Sequence, residues 1–306
     1  MKYLILGDLH MRSKTPRCRT ETDFSQLCID KLTQVLDIAN GQNVDAILQP
    51  GDFFDRPQPT GSLVVGLLEQ LETYQDTHPR GSLYAIHGQH DLIHHNEKSA
   101  EGSELRKMEA VGLLQLARPE GFYPDGVVGS NYGHLIPKPP FEKYNILLTH
   151  AMVGDKPLWP GHELTQPESF MDKHPGFNLY VFGDYHYPYS VQHSNGSWAI
   201  NAGCLIRLTS SERDMAHRPK VVIFDTETNM PEDVYLDVSP VCDSFDLSKK
   251  TVVKDNAHLR ELMETLKKGK EIGVDFTANL VQYISDNDVS DEVREILMNE
   301  LKDQRE

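Results

Sequence analysis

Short polar clusters occur at intervals along this sequence, and each one closely follows an apolar run that is typical of a buried β-strand. In the first half of the chain these runs alternate with helical patterns, which favours parallel strands with helices on the sheet faces. Ligands of open α/β sheets bind beyond the carboxyl ends of the strands, so the clusters are expected to converge on one site. The clusters are Asp8-Leu9-His10, Gly51-Asp52, Gly88-Gln89-His90-Asp91, Thr149-His150 and Gly183-Asp184-Tyr185-His186.

Hydrophobic periodicity predicts the order of the elements. Helices are expected at residues 24–39, 63–74 and 105–116, and strands at 2–6, 45–48, 83–86, 145–148, 179–182, 197–200, 220–224 and 234–236. Two segments rich in Gly and Pro, 119–143 and 153–178, are expected to be mostly loop, and the second is long enough to be a lid. We therefore divide the chain into a main domain, 1–240, and a charged helical region, 241–306. That region is either an appendage packed on the main domain or a docking element for a partner.

Composition narrows the class of protein. The 306 residues include 46 acidic and 30 basic side chains, a net charge of -16, which argues against a protein that coats nucleic acid by charge alone. We find neither a secretory signal nor the ~18 consecutive apolar residues that a membrane span needs. The 4 cysteines are scattered without a C-x-x-C pair, which excludes a zinc ribbon and favours a reducing, cytoplasmic location.

The clusters combine carboxylates with imidazoles, which suits a pair of divalent ions bridged by a carboxylate. Such ligands favour manganese, iron or zinc over a metal that prefers thiolates. A lone Asp or His after a strand would most simply be structural, but the same placement after several strands points to a metal centre. Two metals can clamp a phosphoester oxygen and activate a water molecule for in-line attack.

The motifs DLH, GDFFD, GQHD, THAM and GDYH resemble the ordered motifs D-x-H, GD, GNHD, H and GHxH of calcineurin-like metallophosphoesterases. GDFFD, together with NAG-x-x-x-R at residues 201–207 and SSE at 210–212, resembles the SbcD-like branch of DNA repair exonucleases. The resemblance covers residues 1–240. It implies an α/β fold, a four-layer αββα sandwich with a small C-terminal helical segment.

The resemblance also implies a role for each residue of the motifs. The first metal would be held by Asp8, His10 and His186, and Asp52 would bridge both ions. The second metal would be faced by Gln89, His150 and Asp184. His90 would be the general acid that protonates the leaving alkoxide, and Asp91 would orient its ring.

The chain departs from the family pattern at two of these positions. Gln89 stands where the family usually has Asn, and Asp184 stands where it usually has His. The first change lengthens a carbonyl ligand by one methylene, and the second replaces a neutral donor with an anionic oxygen. A harder site results, which should favour manganese or magnesium. The alternative is a weak or empty second site, which would leave a one-metal or inactive protein.

Cations gather beside the motifs although the chain is acidic. Residues 11–20 contain Arg and Lys but no acid, and they follow the first metal motif directly. Phosphates supply most of the affinity for a nucleic-acid backbone, so these cations suit a polyanionic substrate, although a solvated basic loop is the alternative. The expected substrate-binding residues are Arg12, Lys14, Arg17, Arg19, Arg56 and Arg207.

These observations leave several functions open. The resemblance implies a DNA phosphodiesterase with exonuclease and endonuclease activity, containing two divalent ions, most simply Mn²⁺. It also implies a homodimer that acts in DNA repair or recombination with an SbcC-like ATPase subunit and away from membranes. One alternative is a phosphatase or small-nucleotide phosphodiesterase of the same superfamily. Another is a catalytically weakened binding subunit.

Overall fold

The computed structural model describes residues 1–78, 82–119, 126–140, 144–158 and 163–249. The chain divides into two compact units, Met1–Lys250 and Thr251–Glu306. The second unit, and with it most of the expected helical region 241–306, lies outside the described residues. The expected boundary at residue 240 falls inside the first unit, where Phe245 is buried and contacts the guanidinium groups of Arg19 and Arg207.

The described part of the chain alternates strands with helices, as the periodicity predicts. The strands are β1 (Lys2–Ile5), β2 (Ala46–Gln49), β3 (Ser82–Ala85), β4 (Gln115–Leu116), β5 (Val127–Ser130), β6 (Ile146–His150), β7 (Leu179–Gly183), β8 (Tyr189–Gln192), β9 (Trp198–Asn201), β10 (Lys220–Asp225) and β11 (Met230–Tyr235). The helices are α1 (Phe24–Gln42), α2 (Gly61–Thr77), α3 (Glu104–Ala110), α4 (Pro167–Lys173), α5 (Glu212–Ala216) and α6 (Val241–Ser244).

The strands form two mixed sheets. The first has the order β11-β10-β1-β2-β3-β4, in which β1 to β4 run parallel and β10 and β11 are antiparallel to their neighbours. The second has the order β5-β6-β7-β9-β8, in which β8 alone of the described strands is antiparallel. The carboxyl ends of the parallel strands of a sheet lie at the same edge, which is where the polar clusters stand.

Side chains of β1 show how the layers are built. Tyr3 and Ile5 lie in the apolar core between the two sheets, whereas Leu4 lies in a second core with residues of α1 and α2. This alternation follows from the period of two along a strand. A third core joins the outer face of the second sheet to Phe170 of α4. The layers are therefore helix, sheet, sheet and helix, and the expected sandwich fold is confirmed.

Local sequence signals fix both ends of α1. The Asp23 side chain caps α1 by accepting the N–H of Gln26, and Asn43 closes the helix in the left-handed region with φ 50°. The helix expected at 105–116 ends earlier, at Ala110. Gly112 has φ 83°, a conformation that favours glycine, and the chain then enters β4 beside β3.

Some elements lie where loop was expected. Strand β5 falls within the segment 119–143 and α4 within the segment 153–178. Strand β5 is short, and its Val127 and Val128 face different cores, so no stripe of alternating polarity marks it. Within the described residues, no helix combines the length and apolar character needed to cross a bilayer.

Candidate metal centre

The polar clusters meet at one end of the two sheets. Asp8 follows β1, Asp52 follows β2 and Gln89 follows β3, so these three side chains come from the first sheet. His150 ends β6, and Asp184 follows β7, so the second sheet supplies the rest, together with His186 two residues further on. Each side chain reaches the site because its strand ends there.

The backbone of the site is held in an unusual conformation. His10, Asp52 and Asp184 have φ angles of 46°, 51° and 73°, in the left-handed region that non-glycine residues seldom occupy. Hydrogen bonds hold the loops: the N–H of His10 donates to the carbonyl oxygen of Asp52 over 3.0 Å, and the N–H of Asp184 donates to the Asp8 carboxylate over 3.1 Å. Strain of this kind is typical of functional sites.

The residues expected to hold the first metal lie together. The Nε2 atoms of His10 and His186 are 3.1 Å apart, and Nε2 of His186 is 3.3 Å from Oδ2 of Asp8. Nε2 of His10 is 3.9 Å from the same oxygen. Three donor atoms thus face one small volume.

Asp52 lies between the two expected metal positions. Its Oδ2 atom is 3.8 Å from Nε2 of His10 and 3.5 Å from Nε2 of His150. Its Oδ1 atom accepts the backbone N–H of His90 over 2.8 Å, which fixes the carboxylate. Oδ2 is buried and has no hydrogen-bond partner. This placement suits a bridging ligand.

The expected second position has unpartnered buried atoms of its own. Nδ1 of His150 donates to the carbonyl oxygen of Pro50 over 2.7 Å, and its buried Nε2 atom has no hydrogen-bond partner. Nε2 of Gln89 donates to Oδ1 of Asp184 over 3.0 Å, and Oε1 of Gln89 is buried without a partner. Buried polar atoms in proteins are almost always paired, so these acceptors fit a bound cation. The contact with the Pro50 carbonyl oxygen is also typical of histidines that bind metal.

The charges of the site influence one another. Burial lowers the pKa of His10 to about 3, and the imidazoles of His186 and His90 act in the same direction against Asp52. Burial alone would lower the pKa of His150, but the Asp52 carboxylate raises it to about 10. Burial opposes ionisation of Asp52, yet His150 holds its pKa below the ordinary value. The carboxylates thus favour positive charge at His150, and a divalent cation bound there would displace the proton.

Motif glycines allow this close approach. A Cβ atom on Gly88 would lie 2.1 Å from Oδ1 of Asp52, and one on Gly183 would lie 2.5 Å from Nδ1 of His150. Real Cβ atoms do not approach that closely, so any larger residue at either position would displace a candidate ligand.

His90 occupies the mouth of the site. Its side chain is 39% exposed, and its Nε2 atom lies 4.0 Å from Oδ2 of Asp52. Nδ1 lies 3.1 Å from the carbonyl oxygen of Asp55, which can only accept, so Nδ1 carries a proton. The free Nε2 atom therefore faces the candidate metal position.

The expectation that Asp91 orients the ring of His90 is wrong. The buried Asp91 carboxylate instead accepts the backbone N–H groups of Phe53, Phe54 and Gly88 over 3.3, 2.9 and 3.0 Å. It joins the loop after β2 to the loop after β3, and it supports His90 only through the backbone. The carbonyl oxygen of Asp55 accepts a hydrogen bond from the ring.

Three of the expected substrate-binding cations line a cleft beside the site. Arg12, Lys14 and Arg56 surround a cavity of about 150 Å³, together with Ser13 and Thr60. Asp55 also lines this cavity and pairs with Arg12 across 3.1 Å. The side chain of Arg17 is exposed, and it does not line this cavity.

The other two expected cations do not face the cleft. Arg19 and Arg207 are each only 6% exposed. Arg19 binds the Glu21 carboxylate and the carbonyl oxygen of Arg207, and Arg207 donates to the carbonyl oxygen of Ser239. Both line a separate cavity. Their assignment as substrate contacts of the metal centre is therefore corrected.

Sequence reasoning misses Asp55, and it identifies Arg213 only as a cation in the stretch that follows the last motif. Asp55 contacts Arg12 through its carboxylate and His90 through its carbonyl oxygen, and its only signal is its place at the end of GDFFD. Arg213 lies 3.5 Å above the ring of Tyr187 and donates to Oη of Tyr185 over 2.7 Å. Those tyrosines flank His186 in sequence, so Arg213 adds a cation beside the centre.

Cys204 is close to His10 and His186, but it is a poor ligand. Burial raises the pKa of its thiol well above the ordinary value. Its Sγ atom donates to the carbonyl oxygen of Ile206 over 3.0 Å. Since the thiolate is the form that binds metal, Cys204 serves packing here.

Comparison with known proteins gives a family match. The family model for calcineurin-like phosphoesterases matches residues 1–188. Among solved structures, a dimetal phosphatase from Danio rerio is similar, with a TM-score of 0.43 and 11% sequence identity, over 78% of this chain and 99% of that chain. No curated protein sequence matches this chain.

Proposed function

This chain belongs to the calcineurin-like phosphoesterase family, whose members hydrolyse phosphoester bonds, and we propose that it is a metal-dependent DNA phosphodiesterase of the SbcD-like kind. The observation that carries the proposal is the basic cleft lined by Arg12, Lys14 and Arg56 beside the metal centre. A monoester needs only the centre itself. A second, cationic position suits a substrate with a further phosphate along its backbone.

The residues at the strand ends would hold two divalent ions, most simply Mn²⁺ because the donors are carboxylates, imidazoles and an amide oxygen. Asp8, His10 and His186 form one set, His150, Gln89 and Asp184 form the other, and Asp52 belongs to both. When bound, such ions polarise a phosphoryl oxygen and make a water molecule more acidic. The chain supplies ligands that are buried and already oriented by their strands and loops.

His90 is placed to act on the leaving group. The Asp55 carbonyl oxygen holds Nδ1 as the donor, so Nε2 is the atom that would carry a proton outward to the departing 3′ or 5′ oxygen. The ring is partly exposed, so it can recover a proton from solvent. Proton donation to an alkoxide matters most when the leaving group is a poor one, as a deoxyribose oxygen is.

One observation favours the second candidate, a phosphatase or small-nucleotide phosphodiesterase. Arg19 and Arg207 are buried away from the centre, which leaves a short cationic surface on a chain of net charge -16. A small substrate with one or two phosphates would be satisfied by the same cleft.

Hydrolysis assays separate the candidates. Purified protein is given linear duplex DNA, circular single-stranded DNA and bis-p-nitrophenyl phosphate, each with Mn²⁺, with Mg²⁺ and with EDTA, beside His90→Ala. Mn²⁺-dependent DNA cutting that is lost in His90→Ala is the expected result. Turnover of the small diester without DNA cutting would favour the second candidate. Failure to turn over any substrate, with less than one tightly bound ion per chain, would indicate a binding subunit.

We also propose that the protein acts as a homodimer with an SbcC-like ATPase in DNA repair or recombination, and that the charged helical region after residue 240 binds the ATPase. The amphipathic pattern of its sequence supports this, since such a helix can lay its apolar face in a groove of a partner. Co-purification of the ATPase with the full chain, and its absence from a chain ending at residue 249, is the expected result. Retention by the shorter chain would assign the docking surface elsewhere.

A further inference from the structure

A second cavity lies behind the loop that follows β9, and buried cations line it. It has a volume of about 370 Å³, and Arg19, Lys31 and Arg207 are among its lining residues. Each of these three side chains belongs to a residue that is only 6% exposed. Buried Lys and Arg side chains are rare unless they are paired, so the counter-charge of this cluster needs an explanation.

Only one of the three cations has a carboxylate partner among the described residues. Arg19 is neutralised by Glu21, which accepts from two of its nitrogens. Lys31 donates to the carbonyl oxygen of Asp237, and Arg207 donates to the carbonyl oxygen of Ser239 over 2.6 Å. Backbone carbonyls supply hydrogen bonds but no negative charge, so Lys31 and Arg207 are held without a direct carboxylate partner.

The remaining acids of the cavity, Asp30 and Asp237, do not pair directly with these cations. Asp30 is exposed and accepts a hydrogen bond from Gln26 over 2.8 Å. Asp237 is exposed, and neither acid forms an ion pair with Lys31 or Arg207 within the described ranges. Burial lowers the pKa of Lys31, and the carboxylates of Asp237 and Asp30 oppose this shift. Burial and repulsion from Arg19 lower the pKa of Arg207, and Glu21 opposes them. The nearby acids therefore attract the two cations without forming an ion pair with either.

We propose that this cavity binds a small phosphate ester, with the phosphate group against Arg207 and Lys31 and the organic part against Leu27 and Ile206. A cavity of about 370 Å³ exceeds what inorganic phosphate needs and falls in the range of small-ligand sites, which begins at ~300 Å³. Arg and Lys are the usual partners of phosphate, and the apolar side chains suit a sugar or base.

The site is joined to the metal centre by a short stretch of backbone. The N–H of Leu205 donates to the carbonyl oxygen of Asp8 over 2.9 Å, and the N–H of Cys204 donates to the carbonyl oxygen of His186 over 2.9 Å. Arg207 follows on the same loop. A ligand that draws Arg207 and Lys31 together would act on a loop that contacts two candidate metal ligands.

Isothermal titration of metal-free protein with a nucleoside monophosphate, inorganic phosphate and the uncharged nucleoside tests the proposal. EDTA keeps ions out of the metal centre. We expect saturable binding of the monophosphate, and Arg207→Gln and Lys31→Met should each weaken it by at least roughly ten-fold. Arg218→Gln, at an exposed arginine outside the cavity, should bind as the parent does.

Stability gives a second readout in case Arg207→Gln does not fold. Lys31→Met keeps the apolar stem and removes a buried charge that has no ion-pair partner, so without ligand its melting temperature should equal or exceed that of the parent. The monophosphate should raise the melting temperature of the parent more than that of Lys31→Met. Equal binding of inorganic phosphate and monophosphate would overturn the assignment of a phosphate ester, because the organic part would then contribute nothing. Binding that both variants retain, or equal binding of the uncharged nucleoside, would overturn it.

Discussion

Gln89 donates an N–H of its side-chain amide to Oδ1 of Asp184 over 3.0 Å, so the two positions at which the chain departs from its family's motifs contact each other. The hydrogen bond fixes the amide so that Oε1 is the atom left without a partner. The departures are therefore one paired change. A longer amide on one strand end and an oxygen acceptor on another replace the usual Asn and His together.

Metal binding should depend on this pair as a unit. Gln89→Asn shortens the amide and breaks the hydrogen bond with Asp184, and Asp184→His removes the acceptor, so each single change should weaken binding of the second ion. The double variant should recover part of the affinity, with a coupling energy of about 0.5–3 kcal/mol, as residues in contact commonly show. Titration of the metal-free parent, both single variants and the double variant with Mn²⁺ gives a double-mutant cycle. Strictly additive effects of the two changes on Mn²⁺ affinity would contradict the pairing.

Replacing His90 should separate proton donation from metal binding. His90→Gln should lower kcat on DNA by about 10²–10⁴-fold, because the leaving alkoxide loses its acid. Turnover of bis-p-nitrophenyl phosphate should change far less, since its phenolate leaves without help, and metal content should be unaltered. His94→Asn, at an exposed histidine of the same loop, is the matched control. An equal decrease on both substrates would argue that His90 holds metal instead.

The basic cleft should determine how salt affects DNA binding. Lys14→Gln/Arg56→Gln removes two cations of the cleft, so DNA affinity should fall. The salt slope, which is the change in the logarithm of the binding constant with the logarithm of the salt concentration, should decrease in magnitude by roughly 0.9 for each phosphate that the variant no longer neutralises. Turnover of bis-p-nitrophenyl phosphate should stay the same. Arg17→Gln, an exposed cation outside the cleft, should change neither property. An unchanged slope in the double variant would mean that the cleft does not hold a DNA backbone.

His217 should make stability sensitive to mild acid. Burial lowers the pKa of His217, and Arg207 and His186 act in the same direction. The carbonyl oxygen of Cys204, 2.7 Å from Nε2, and the Asp214 carboxylate oppose this shift. The unfolded chain thus binds this proton more readily than the folded chain does. Its contribution to the free energy of unfolding is complete above pH ~6.5 and falls as pH drops, by at most about 1.4 kcal/mol per pH unit.

Denaturant melts of metal-free protein at several pH values check this expectation. Below pH ~6.5, the free energy of unfolding should fall less steeply with decreasing pH in His217→Gln than in the parent. His94→Asn should show the same pH dependence as the parent. A parent and His217→Gln with the same pH slope would show that His217 titrates alike in both states.

Much of the fold can be predicted because its signals are local. The runs at β1, β2, β3, β6 and β7 are continuous, buried and followed by polar clusters, so both their type and their site-facing ends are visible in the sequence. Strand β5 and helix α4 are not visible in the sequence, because their type depends on the sheet and the core against which they pack. Tertiary context decides such short elements.

The candidate site divides along the same line. Residues directly after strands, such as Asp8 and Asp52, can be placed from the sequence. Contacts between distant segments cannot: Asp91 supports the loops through backbone amides, and Arg19 turns inward to Glu21 and the Arg207 carbonyl oxygen. A charge beside a motif in sequence therefore says little about which cavity the side chain faces.

Candidate ligands come from both sheets, and this has a consequence for folding. Asp8 and Asp52 belong to the first sheet, and His150 and His186 come from the second sheet and the loop after it. Neither sheet alone could assemble a complete set of donors. A partly folded chain in which the sheets have not yet docked should bind metal weakly. Tight ion binding should therefore come late in folding and stabilise only molecules in which both sheets are in place.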